Sequence, residues 1–147
     1  MFKKIITFSF LFFLLSTNLN AVVTVLGSSD AHICYKRAKY GSTTQSSVLT
    51  CLKAISDMTI SKRDIDASRI NLGIIYNNKS EPRMALEQFE IALKNENMKA
   101  EIFLNQGNSL LLLKDYKGAL KKYQASLENN LEDISAIYFN KGMAHEY

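Results

Sequence analysis

The chain has 147 residues, 47% of them hydrophobic, with a single proline and no tryptophan. That is enough for one domain and points to a helix-rich class. Its 18 Lys+Arg stand against 14 Asp+Glu, a formal charge of +4; without Lys3 and Lys4, which lie in a segment expected to be removed, 18 − 2 = 16 basic residues face 14 acidic ones. So weak a balance argues against a nucleic-acid binder, and the small cluster Lys36, Arg37, Lys39 reads as a solvated helix face.

Lys3 and Lys4 precede an apolar run of 11 residues, Ile5 to Leu15, and Ser16 to Asn20 turns polar ahead of Ala21. That order is a secretory signal peptide. The run is far shorter than the ~20 residues of a spanning helix. A cut is expected after Ala21, with Val25-Leu26-Gly27 as a second candidate. Residues 1–21 are thus expected to be a leader, 22–27 a short extended lead-in, and 28–147 a single domain. No cysteine follows the apolar run closely enough for a lipid anchor. The expected location is the bacterial periplasm, with no stable membrane insertion after cleavage.

Export makes Cys34 and Cys51 a candidate disulfide, since even cysteine counts pair in oxidising compartments. Asp30 to Tyr40 suits a helix, Gly41 to Thr44 a turn, and Gln45 to Asp57 a second helix. The cysteines are expected to close that hairpin, in a degenerate first repeat over 28–61. A redox dithiol favours Cys-x-x-Cys instead.

Beyond a connector at Ile60 to Asp66, where Ser61 and Asp64 can form a capping box, a pattern appears and then returns. Leu72-Gly73-x-x-Tyr76 is followed by Ala85, Phe89 and Ala92; 34 residues later come Gly107, Ala119, Tyr123 and Ser126. Counting back 17 from Phe89 gives Leu72, just as counting back 17 from Cys51 gives Cys34. The glycines and alanines let paired helices approach, and Tyr76, Phe89 and Tyr123 are expected to fill the space between hairpins. Asn77 to Ser80 is a turn, Pro82 suits the first turn of a helix, and Asp115 caps another. Repeats are placed at 66–99 and 100–134, and 135–147, with Gly142 in the glycine slot, as the first helix of a further copy.

This pattern resembles the tetratricopeptide repeat, over roughly Ser28 to the carboxyl terminus. The Trp slot of that repeat holds Arg69, Phe103 and Tyr138, and its closing Pro is absent. With its leader and cysteine pair, the chain is also similar to small exported bacterial proteins of that type, which generally have no assigned activity. The resemblance implies an all-α fold, a right-handed α-solenoid of antiparallel helix pairs with about seven helices.

Asn71, Asn105 and Asn140 each stand two residues before a repeat glycine. In receptors of this family, asparagines at that place grip an extended ligand backbone, and an amide offers both acceptor and donors for the purpose. Ile70, Ile74, Leu104, Asn108 and Phe139 complete the expected peptide site, which would be apolar with a polar ladder. Ile70 stands where a carboxylate-clamping lysine would be, so an extended segment with apolar side chains is the expected ligand rather than a chain terminus.

Ile134, Ile137, Tyr138 and Met143 on the last helix exceed what one neighbour can cover, which suggests self-association or a partner there. No catalytic constellation is visible: His32 and His145 are isolated, and neither a phosphate-binding loop nor a metal-ligand cluster is present. The sequence therefore points to a non-enzymatic module without cofactors or metal. It would hold a protein segment in its concave groove or, alternatively, build an envelope assembly through stacking.

Overall fold

The computed structural model describes residues 19–26, 29–94, 96–132 and 134–145. The charged and apolar parts of the expected leader lie outside the described residues. Seven α-helices follow one another: α1 (Ser29–Lys39), α2 (Gln45–Ser56), α3 (Lys62–Asn78), α4 (Pro82–Ala92), α5 (Lys99–Leu112), α6 (Tyr116–Glu128) and α7 (Ser135–His145). A single 3-10 turn, Glu96–Met98, precedes α5. No β-strand occurs among the described residues, and the fold is all-α.

Local chemistry sets the helix starts. The Thr44 hydroxyl accepts from the Ser47 amide at 3.3 Å, Ser61 accepts from Asp64 at 3.1 Å, and Asp115 accepts from Gly118 at 2.9 Å. Each satisfies an amide that the first helical turn leaves without a backbone partner. Pro82 opens α4, where its missing N–H costs nothing. The Ser61 cap starts α3 at Lys62, so the connector expected to extend to Asp66 ends at Ser61. Ser80 and Lys114 close α3 and α5 in the left-handed region, each with φ 61°. The two hairpin turns therefore keep the 34-residue offset in backbone conformation as well.

The helices pack as hairpins in chain order. α1 lies on α2, α3 on α4, and α5 on α6; α2–α3, α4–α5 and α6–α7 join successive hairpins, and each odd-numbered helix also touches the next odd-numbered one. Such nearest-neighbour stacking is repeat-like. Two hydrophobic clusters result. One runs from Val23 and Val25 through Phe89 to Ile102, the other from Leu104 through Tyr123 to Ala144.

At the hairpin centres, glycine faces an aromatic ring. A Cβ on Gly73 would stand 2.4 Å from Phe89 Cε1, and one on Gly107 would stand 2.3 Å from Tyr123 Cε1. The rings expected between hairpins thus press on the glycine of their own hairpin. Ala85 and Ala119 are fully buried on the facing helices, as are Leu72 and Ala92, and Tyr76 is nearly so. Gly142, expected to pack like the other two, is different: a Cβ there meets nothing within 4 Å.

In the first hairpin the pairing is covalent. Cys34 and Cys51 form a disulfide with Cα atoms 4.9 Å apart, joining α1 to α2, and both cysteines are fully buried.

Gly73→Ala and Gly107→Ala force a methyl into a packed ring and lower stability by about 1–3 kcal/mol or more. Gly142→Ala gains helix propensity and raises stability by up to about 1 kcal/mol; urea midpoints at constant slope separate the two signs. Replacing both cysteines by alanine removes about 3 kcal/mol, and the intact protein keeps its disulfide in reductant until urea opens the first hairpin, as thiol trapping reads.

Candidate functional site

The asparagines at the repeat positions are not exposed to solvent. Asn71 on α3, Asn105 on α5 and Asn140 on α7 are all fully buried. What covers them is the chain itself, because residues 19–26 run across the face formed by the three helices.

Each asparagine holds one residue of that segment at both of its backbone polar groups. The Val23 amide donates to Asn71 Oδ1 at 3.1 Å, and Asn71 Nδ2 donates to the Val23 carbonyl at 2.8 Å. Ala21 exchanges the same pair with Asn105, at 3.3 and 2.9 Å. Leu19 does so with Asn140, at 3.2 and 2.9 Å. A residue whose N–H and C=O both face one way, repeated at every second position, describes an extended chain. The side-chain amide takes the place of a neighbouring strand.

The segment runs against the order of the repeats, from α7 at Leu19 to the start of α3 at Leu26. There the Leu26 amide donates to Asp64 Oδ1 at 3.1 Å, and Arg63 donates to the Thr24 carbonyl at 3.2 Å. Asp64 is therefore shared: its Oδ2 accepts from the Ser61 hydroxyl at 3.0 Å, while its backbone amide is capped by Ser61. Of the capping box read from Ser61 and Asp64, the serine arm is formed, and the other carboxylate oxygen holds the lead-in.

Asn108 joins the ladder at its α7 end. Its Nδ2 donates to the Leu19 carbonyl at 2.9 Å and to Asn20 Oδ1 at 3.0 Å. Its Oδ1 accepts from the Tyr123 hydroxyl at 3.0 Å and from Asn140 Nδ2 at 2.8 Å. All four hydrogen-bonding positions of the amide are used. One repeat earlier the same pair of slots holds Ile74 and Phe89, so a hydroxyl and an amide appear together where an apolar pair stood before. Burial pushes the Tyr123 phenol above its usual range and keeps it a neutral donor to Asn108.

Between the ladder helices the buried amides also bond one another. Asn77 Nδ2 donates to the Asn105 carbonyl at 3.4 Å, and the Ser109 hydroxyl donates to Asn77 Oδ1 at 2.8 Å. These bonds tie α3 to α5 directly beneath the segment.

Side chains of the segment anchor it as well. Val23 and Val25 are buried in the first cluster with Ile70 and Ile74, and Val22 packs beside them; Ala21 packs on the second cluster, which contains Leu104. Ile70, Ile74 and Leu104 are fully buried core residues rather than an open lining. Phe139, beside Asn140, is half exposed. The expected peptide-site residues thus divide into a polar ladder that touches backbone, a core that supports it, and one exposed ring at its α7 end.

Asp64, Arg63 and the segment itself had not been expected at the site. The signal for the segment was present: Leu19, Ala21, Val23 and Val25 alternate with a period of two, the mark of an extended chain with one face covered. Among the described residues no group of three or more His, Cys, Asp and Glu is placed to hold a metal ion. Compared with models of protein families, with curated proteins and with solved structures, the chain matches none.

Asn71→Ala leaves a buried N–H and C=O of Val23 unpaired and is expected to cost about 2–4 kcal/mol. Amide hydrogen exchange gives the sharper test. Asn71→Ala should speed exchange at Val23 by at least tenfold, and Asn105→Ala should do so at Ala21. Unchanged rates at both would mean that the amides do not hold the segment.

Proposed function

We propose that the protein is a non-enzymatic, exported interaction module of the tetratricopeptide type, a helical solenoid that holds an extended protein segment against α3, α5 and α7. One observation carries the reading. Asn71 and Asn105 each bind both backbone groups of alternate residues in an extended chain, a grip that needs a peptide and no particular side chain.

Other observations support parts of it. The packing of an aromatic ring against glycine recurs one 34-residue period apart, Phe89 on Gly73 and Tyr123 on Gly107, as expected of repeats with a common ancestor. The Cys34–Cys51 disulfide suits a non-reducing compartment, which is consistent with export to a bacterial periplasm. No described helix is long and apolar enough to cross a membrane.

The test is a photoreactive phenylalanine analogue at Phe139 of the exported full chain, with Met58, which is exposed outside the ladder, as the control position. Crosslinking from position 139 alone, mapped by mass spectrometry to one extended stretch of a partner and reduced at least tenfold by Asn105→Ala with Asn140→Ala, supports the reading. An adduct indifferent to those substitutions overturns it.

A second reading has its own observation. Ile134, just before α7, and Tyr138 and Phe139 on it are 49%, 59% and 49% exposed, although Ile137 is fully buried and Met143 packs on the second cluster. An apolar stripe of this kind suits helix stacking in an envelope assembly or on a second copy. Sedimentation of a strict monomer at high concentration removes the self-stacking form of this reading.

A further inference from the structure

We propose that residues 19–26 are a ligand of the ladder held in cis, and that a cut in the chain at or just after this segment is what frees the asparagines for an equivalent segment in trans. The proposal rests on the peptide-holding reading above and adds to it the occupant, its chemistry and its control.

The geometry defines the ligand. Bonds fall on Leu19, Ala21 and Val23, with two residues for each ladder helix, and every one of these residues supplies both an N–H and a C=O. A ligand must therefore be extended and free of proline at those three positions, since proline has no N–H to give. It must place valine-sized side chains where Val23 and Val25 enter the first cluster, whereas the Leu19 side chain at the other end is half exposed and sets little. The class is an extended, β-branched apolar segment, recognised mainly through its backbone.

The geometry also explains why a free segment meets a closed site in the uncut chain. Asn71, Asn105 and Asn140 are fully buried under the lead-in, which is joined to α1 by only the two residues after Leu26. So short a tether keeps the cis segment at a high effective concentration beside its own ladder. The expected cut after Ala21 acts on half of this arrangement. It removes the residues that Asn105, Asn108 and Asn140 hold and leaves Val23 on Asn71, Thr24 on Arg63 and Leu26 on Asp64. The second candidate cut, at Gly27, separates the whole segment. In either case amides lose both their cover and their backbone partners, and a new extended segment would supply both.

The experiment uses the full oxidised chain with a site-specific protease sequence inserted between Leu26 and α1, folded first and cut afterwards. The probe is a fluorescent peptide with the sequence of residues 19–26; a second peptide carries N-methyl groups at the positions of Ala21 and Val23. The expected result is saturable uptake of the first peptide by the cut protein, at least tenfold weaker uptake by the uncut protein, and at least tenfold weaker binding of the methylated peptide, with helicity unchanged. Equal uptake by cut and uncut chains overturns control by the cis segment and leaves the peptide-holding reading standing. Equal binding of the methylated peptide overturns the backbone rule. No uptake by either form, with helicity intact, overturns the inference and the peptide-holding reading together. Loss of helicity when the segment leaves makes it a structural staple and overturns the inference alone.

Discussion

A buried amide must find hydrogen-bond partners, and in this protein that requirement organises everything around the odd-numbered helices. Asn71, Asn105, Asn108 and Asn140 are all fully enclosed. Left without partners, each would cost on the order of 1–3 kcal/mol per group, a sizeable part of the 5–15 kcal/mol by which a domain is stable. The helices supply few of the missing donors and acceptors, because most of their backbone groups are already paired within each helix. An extended chain can supply the rest, since every second residue turns both of its polar groups to the same side. The lead-in is the segment that does so.

The ladder in turn depends on a frame in which helices are held at fixed separations. Gly73 under Phe89 and Gly107 under Tyr123 draw α3 to α4 and α5 to α6. Asn77 and Ser109 then pin α3 to α5. The disulfide ties α1 to α2 in the first hairpin. Packing and hydrogen bonding are coupled most tightly at Tyr123, whose ring fills the space above Gly107 while its hydroxyl holds Asn108. Where the ring lacks a hydroxyl, at Phe89, the residue across from it is Ile74 and needs none.

Much of this frame could be read from residue spacing because it is local. Helix caps and the cysteine pair each join positions within one hairpin, so a fixed sequence offset carries them; the rings of Phe89 and Tyr123, expected between hairpins, instead meet the glycine of their own hairpin. The three asparagines were equally visible, since they share an offset from the glycines. Their occupant was not, because Leu19 and Asn140 are 121 residues apart and no periodicity links them. Two separate patterns had to be matched: a period of two along residues 19–25, and a period of one repeat along the helices. Ser61 and Asp64 were read as a capping box; Ser61 does cap the Asp64 amide, but the Asp64 carboxylate turns one oxygen to the Ser61 hydroxyl and the other to the Leu26 amide. The burial of Ile70, Ile74 and Leu104 follows from the same omission, since a face with a chain lying across it is no longer a surface.

Matching those two periods is a physical constraint on any occupant. Packed helices stand about 8–10 Å apart, whereas two residues of an extended chain advance only about 6.6–6.8 Å. The asparagine heads must therefore converge on the segment relative to the helix axes that carry them, which the two torsions of their side chains allow. Aspartate at Asp64 meets the chain at Leu26, three residues beyond Val23 rather than two, because it lies on the same helix as Asn71 and does not share the spacing between helices. The number of residues the segment engages in register is then set by the number of asparagine-bearing helices, two residues to each. Lengthening the segment adds no grip from the asparagines without another such helix.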